Sequence, residues 1–244
     1  GSLLNFQTTR GINGGTINWT PRSQKNMPSE PLIIPAILET SFDEVQKKLA
    51  LVEGFALWAQ VDVSDGLFAH PETWSNPELL SLVEGKIKIE AHLMVEHPED
   101  ELAQWTSVAD RVIVHYEATD KLASIIDRFS ESTVKLGIAL CMDTLVNVLD
   151  PFLKDLSHVQ LMGIAEIGGQ GHTLDERIFS RIKKLRALAP DVTIAIDGGV
   201  TLDNVTALKD VGATNFVVGS ALFQSADVSG ALAEFQNRIN GTST

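Results

Sequence analysis

From Pro31 onward, short apolar runs alternate with longer segments of mixed polarity. The apolar runs, at 32–37, 57–63, 87–94, 110–116, 134–140, 158–164, 192–197 and 215–219, are candidate strands. Stretches such as LIIPAI, VKLGIAL and NFVVG are almost continuously apolar, as parallel strands covered on both faces are. Between them, apolar residues recur at helical spacing, as in Phe42, Val45, Leu49 and Val52, in Leu122, Ile125, Ile126 and Phe129, and in Ile178, Ile182 and Leu185. Each strand is therefore expected to be followed by a helix that covers it from outside. The strand starts are roughly 20–30 residues apart, which suits βα units. Eight such units in about 210 residues predict an α/β chain folded as a single (β/α)8 TIM barrel over residues 31–244. A doubly wound open sheet is the alternative. That fold usually carries a glycine-rich turn after its first strand, where this chain reads Ile37-Leu38-Glu39-Thr40.

Residues 1–30 show neither period and are rich in Asn, Thr, Gly, Ser and Gln, so they read as a flexible N-terminal arm. No basic segment followed by a continuous apolar one marks a secretory signal. Asn-X-Ser/Thr triplets at Asn18, Asn204 and Asn240 are accordingly chance matches. With 19 Lys and Arg against 32 Asp and Glu, the net charge is −13. That sign repels phosphate backbones and anionic lipid, so neither nucleic acid nor membrane is an expected partner. The single cysteine, Cys141, has no intrachain disulfide partner. The expected setting is cytoplasmic.

In the predicted barrel, reactive groups belong at the C-terminal ends of strands. Alternation places Gln60 and Asp62 on one face of the second strand, and Glu90, His92 and Met94 on one face of the third. The fourth strand ends in His115-Tyr116-Glu117 and the seventh in Asp197-Gly198-Gly199. Singly, Asp62 or Asp197 reads as a loop cap and His92 as a satisfied core histidine. Together, Asp62, His92 and Asp197 come from three strands and reach the same end of the barrel. Two carboxylates and an imidazole suit a divalent ion such as Zn²⁺ or Mn²⁺, or an acid-base site. Gly198 and Gly199 after strand seven, and Gly219 and Ser220 after strand eight, leave backbone amides unobstructed, as a phosphate cradle requires. Gly168-Gly169-Gln170-Gly171 after strand six is placed to close over the same group.

These residues resemble the ribulose-phosphate 3-epimerase family in order along nearly the whole chain, from Ile34 to Phe223. The blocks that carry the resemblance are Pro35-Ala36-Ile37-Leu38, Val61-Asp62-Val63-Ser64-Asp65-Gly66, Ala91-His92-Leu93-Met94 with Glu96 and Pro98, and Val114-His115-Tyr116-Glu117-Ala118. They continue with Leu161-Met162, Gly168-Gly169-Gln170, Ile196-Asp197-Gly198-Gly199 and Val218-Gly219-Ser220-Ala221-Leu222-Phe223. The resemblance implies a (β/α)8 barrel acting on a phosphorylated ketose, with a divalent metal (Zn, Fe, Mn or Co) held by two histidines and two aspartates. It implies that Asp62 and Asp197 carry the protons and bind the metal with His92, and that Met94 and Met162 pack beside the reacting carbons. It places Gly168, Gly169, Gly198, Gly199, Gly219 and Ser220 on the phosphate, and implies a homo-oligomer, dimer or hexamer.

Four positions depart from the family pattern. Gln60 stands where the second metal histidine is usual, Ala36 where a substrate-contacting serine is usual, and Ser64 where a methionine is usual. The loop after strand six reads Ala165-Glu166-Ile167 and is one residue shorter. An amide oxygen at Gln60 is a weaker zinc ligand than imidazole and suits harder ions, so a weakly held or absent metal is expected. Glu166 puts negative charge beside the phosphate loop unless it points away.

The activity the resemblance implies is 3-epimerisation of the ribulose 5-phosphate/xylulose 5-phosphate type. One aspartate removes the C3 proton, an enediolate forms, and the other aspartate returns a proton to the opposite face, with metal stabilising the oxyanion. Two alternatives stand beside it: a diverged sugar-phosphate-binding barrel without epimerase activity, and a related sugar-phosphate lyase. Against the lyase, Val61-Asp62-Val63-Ser64-Asp65 carries no lysine, and Lys88 and Lys135 lie at the starts of their strands.

Overall fold

A computed structural model describes residues 30–169 and 171–241. Residues 1–29 of the expected N-terminal arm, and Gln170, lie outside the described residues. Eight parallel strands close into a barrel in sequence order. They are β1 (Leu32–Ile37), β2 (Trp58–Ser64), β3 (Lys88–Met94), β4 (Arg111–His115), β5 (Lys135–Leu140), β6 (His158–Met162), β7 (Thr193–Asp197) and β8 (Asn215–Val218). Closure comes from β8 pairing with β1, with Leu32 opposite Asn215 and Pro35 opposite Val218. The open-sheet alternative is thereby excluded.

Around the strands run α1 (Phe42–Val52), α2 (Pro77–Leu80), α3 (Leu102–Trp105), α4 (Leu122–Phe129), α5 (Arg177–Leu188), α6 (Val205–Asp210), α7 (Ser220–Phe223) and α8 (Val228–Asn240). Helix α1 shows why the local sequence chooses helix. Ser41 accepts a hydrogen bond from the Glu44 amide at 3.4 Å, Asp43 and Glu44 sit in the positive first turn, and Val45, Leu49 and Val52 form the buried stripe.

A full helix after every strand is not what forms. The connection after β2 holds only the four-residue α2, the one after β3 a 3₁₀ turn over Pro98–Asp100 and the four-residue α3, and the one after β5 only a 3₁₀ turn over Val146–Leu149. These segments bury isolated apolar residues, such as Leu80, Leu102, Trp105 and Leu149, and not a repeating stripe. Pro151 directly follows the Val146–Leu149 turn and its neighbour Asp150, where it stops further helical pairing. The helix after β7 begins at Val205. Asn204 holds the preceding turn, accepting from the Thr201 amide at 2.9 Å and donating to the Gly199 carbonyl at 2.8 Å.

Two packed regions follow from strand alternation. One set of strand side chains, including Ile37, Val61, Leu93, Val114 and Leu161, joins the helices in the outer core. The other set fills the interior. Ile34, Ala36, Trp58 and Val217 form a small apolar cluster there. Below it, Arg111 lies 4.3 Å over the Trp58 ring and pairs with Glu90. His158 fits because β5 offers Gly137, where a Cβ would stand 2.8 Å from the imidazole. No helix among the described residues is long and apolar enough to cross a membrane.

Candidate active site

The register of the sheet assembles the site. Asp62 lies directly opposite His92, Ser64 opposite Met94, and Met162 opposite Asp197. Because side chains on alternate positions share a face, Gln60 and Asp62 of β2, His92 of β3, His115 of β4, Gln160 of β6 and Asp197 of β7 converge inside the C-terminal half of the barrel. Asp62 is 7% exposed and Asp197 8%, whereas Gln60, His92, His115 and Gln160 are fully enclosed.

The carboxylates come from opposite parts of the ring yet meet on one atom. Gln60 Nε2 donates to Asp62 Oδ1 and to Asp197 Oδ2, each at 2.7 Å, and lies 3.3 Å from His92 Nδ1. Gln160 Nε2 donates to the same Asp197 oxygen at 2.8 Å. His92 Nδ1 stands 2.9 Å from Asp62 Oδ1 and 3.3 Å from Asp197 Oδ2. Its other nitrogen meets His115 Nε2 at 3.0 Å. Burial raises Asp62 to about 6, although its bond to His92 opposes the shift and the charge of Asp197 adds to it. For His92, burial works against the imidazolium, but the two carboxylates outweigh it and lift the group to about 9.

One potential ligand atom each from Asp62, His92 and Asp197 lies within 4.8 Å of the others, all three residues being buried. That span suits a single divalent ion. Gln60 Oε1 is buried without a partner, and a half-turn of the amide would bring it to the place now held by Nε2. The residues present therefore fit a cation with four protein ligands.

Above the cluster opens a cleft of about 440 Å³, lined by both aspartates and by Met94, Met162, Gly168, Gly169, Gly198, Gly199, Gly219 and Ser220. Every glycine, serine and methionine expected at the substrate thus borders one space. Gly168 has φ +91°, and a Cβ there would stand 2.5 Å from the His70 carbonyl oxygen. At Gly199, φ is +72° and a Cβ would stand 2.5 Å from the Leu174 amide nitrogen. Both positions exclude any side chain.

Two departures resolve simply. Ser64 is enclosed and turns its hydroxyl to the Ala69 carbonyl, bracing the loop after β2. Glu166 is exposed and does not line the cleft. Ala36 does line it, so that wall has no hydroxyl.

Several partners of this site, Gln160, His172 and Thr201 among them, are not singled out by the sequence. Gln160 shares its face of β6 with Met162, so the same alternation that marked Gln60 would have marked it. His172 and Thr201 also border the cleft. They sit in loops, where no period points inward. The remaining lip is drawn together by Arg181 of α5, which donates to the Cys141, Thr144 and Met162 carbonyls at 2.8, 2.9 and 3.4 Å.

Comparison with known proteins agrees with this geometry. The model of the ribulose-phosphate 3 epimerase family matches residues 32–223. A ribulose-phosphate 3-epimerase of Mycobacterium leprae is 31% identical over 221 residues, covering 87% of this chain and 97% of its own. One from Schizosaccharomyces pombe is 29% identical over 214 residues, covering 85% and 93%. Among solved structures, a crystal structure of KGPDC from Streptococcus mutans superposes with a TM-score of 0.69 at 16% identity, covering 88% of this chain and 99% of that one. That likeness is one of fold. The span matched and the identity to the Mycobacterium leprae protein place the chain in the ribulose-phosphate 3-epimerase family.

Proposed function

We propose that the chain is a ketose-phosphate 3-epimerase of the ribulose 5-phosphate/xylulose 5-phosphate type, working by 1,1-proton transfer between Asp62 and Asp197. The observation that carries this reading is the convergence of the two carboxylates on Gln60 Nε2, each at 2.7 Å, at the floor of a cleft they both line. Inversion at a carbon needs a base on one face and an acid on the other, and strands from opposite parts of a barrel supply that opposition. Asp62, raised to about 6, exchanges a proton near neutral pH more readily than an ordinary carboxyl. Gln60 and Gln160 donate to Asp197 and hold its carboxylate in place across the cleft floor from Asp62.

Asp62, His92 and Asp197, with Gln60 after rotation of its amide, would hold a divalent cation (Zn, Fe, Mn or Co). Such an ion supplies positive charge beside the oxygen on which negative charge develops. His92 Nε2–H is then directed at His115 Nε2, which fixes the ring for ligation through Nδ1. The amides around Gly168, Gly169, Gly198, Gly199, Gly219 and Ser220 hold the phosphate at the far end of the cleft, and this remote binding orients C3 between the carboxylates. Met94 and Met162 give the reacting carbons an apolar, water-poor wall. The mouth of the cleft is shared by loops of one chain, so a homo-oligomer is not needed to complete it.

The test is exchange of the C3 proton of ribulose 5-phosphate with solvent deuterium. Exchange by the wild type and its loss in Asp62→Asn and Asp197→Asn support the reading. Tight binding of the sugar phosphate without exchange would instead assign the chain to the non-catalytic binding barrel.

A further inference from the structure

Beside the aspartate cluster lies a second convergence of donor groups, of which the proposed reaction uses only His115 Nε2, the atom that braces His92. His115 ends β4, Glu117 follows it in the next turn, and Cys141 follows β5. Glu117 Oε2 is 3.4 Å from His115 Nδ1, and Cys141 Sγ is 3.5 Å from the same nitrogen. The three donor atoms lie within 4.8 Å of one another.

These distances have a physical meaning. Ligands bound tetrahedrally to Zn²⁺ at 2.0–2.3 Å lie roughly 3.3–3.6 Å apart. Both contacts to His115 fall within that window, whereas a direct charge-assisted hydrogen bond between His115 and Glu117 would be shorter, near ~2.8 Å. Glu117 is also divided in its duties. Its Oε1 accepts the Cys141 amide at 2.8 Å, which fixes the carboxylate and leaves Oε2 facing the other two donors. His115 is enclosed, Cys141 is half-buried, and the Glu117 side chain is 22% exposed. The cluster thus has a route to solvent past Glu117.

We propose that His115 Nδ1, Glu117 Oε2 and Cys141 Sγ form a second divalent-cation site, selective for thiophilic ions such as Zn²⁺, Cd²⁺ and Co²⁺ over Mg²⁺, and that filling it disengages His92 from the aspartate site. Selectivity follows from the donor set, a thiolate and an imidazole with one carboxylate. Binding releases the thiol proton to solvent as the S–metal bond forms, with no change of oxidation state. The coupling follows from one hydrogen placed between two rings. A cation on His115 Nδ1 leaves the proton of that ring on Nε2, directed at His92 Nε2 3.0 Å away. His92 must then accept there and carry its own proton on Nδ1, the atom needed at the aspartates. The site stands apart from the epimerase reading, and only the coupling rests on it.

Cys141 is the sole cysteine of the chain, so a cobalt–thiolate charge-transfer band reports this site alone. Metal-stripped protein titrated with Co²⁺ is expected to develop the band to one equivalent in the wild type and in Asp62→Asn, whose aspartate site is disabled. The band is expected to vanish in Cys141→Ser and to require at least ~10-fold more Co²⁺ in Glu117→Gln. Folded Asp62→Asn without the band at millimolar Co²⁺, or Glu117→Gln with unchanged affinity, overturns the site. The coupling predicts that Co²⁺ binds the aspartate site of Cys141→Ser at least ~10-fold more tightly than it binds as the second equivalent to wild type. Two equivalents binding wild type independently overturn the coupling. Failure of the epimerase reading would leave the band in place, and absence of the band would leave C3 exchange in place, so the two failures are distinguishable.

Discussion

The two halves of the barrel interior are both polar, but they are built differently. In the C-terminal half, Gln60, Asp62, His92, His115, Gln160 and Asp197 bond to one another in a continuous network beneath the cleft. In the N-terminal half, Glu90 and Arg111 pair under Trp58, but Glu90 Oε1, Arg111 Nε, Asn215 Oδ1 and both ring nitrogens of His158 have no protein partner. Burial and the charges of Arg111 and Lys135 hold His158 well below the ordinary imidazole range, so it stays neutral. The contrast separates chemistry from cohesion. In the proposed reaction, the upper network positions the groups that change protonation. The lower pair satisfies a charge that cannot leave, and it lies outside the cleft lining.

The comparison breaks most sharply at the aspartates. Asp62→Asn or Asp197→Asn should lower C3 proton exchange by about 10³-fold or more while leaving the thermal midpoint within a few degrees. A residual rate within tenfold of wild type would move the chemistry elsewhere. In the lower half the expectation reverses. Arg111→Met should cost about 3–5 kcal/mol by stranding the enclosed Glu90, measured by urea unfolding, with exchange per folded molecule little changed. The double variant Glu90→Leu/Arg111→Met should recover most of that loss. If it is as unstable as the single variant, the ion pair is not the cause.

A pH titration sharpens the upper half. In metal-free protein His92 is raised to about 9 from the usual 6.5. Its contribution to stability is therefore full below about pH 6.5 and lost as pH rises through 9, on the order of 3 kcal/mol in all. Unfolding curves of wild type and His92→Asn should converge across that window. A gap that stays constant up to pH 10 would contradict the assigned partners. The smallest effect expected is at Gln60. Gln60→His should raise Zn²⁺ affinity about 10-fold or more, read by competition with a chelating dye. Unchanged affinity would mean that the amide oxygen already ligates as well as imidazole.

Much of this could be read from the chain. Continuous apolar runs gave the eight strands to within a few residues, because parallel barrel strands are buried on both faces and their pattern is unambiguous. Alternation on β2 and β3 placed Asp62 and His92 on the interior. The short connections after β2, β3 and β5 were less legible, since three or four buried side chains can cover a strand without a helical stripe. Gln160 escaped notice for a different reason: a glutamine carries no charge whose burial demands explanation. The role of Gln60 was legible only as a ligand of altered strength. Its donation to both carboxylates depends on β2 and β7 facing each other across a closed ring, which no local pattern encodes.

Arg181 has one more consequence. By grasping carbonyls at the exits of both β5 and β6, a single guanidinium staples two neighbouring stretches of rim into one plate. Length changes farther along the loop after β6 are then absorbed beyond the staple, and the end of that strand keeps its height above the floor. Met162, at the exit of β6, is thereby held in position over the floor of the cleft.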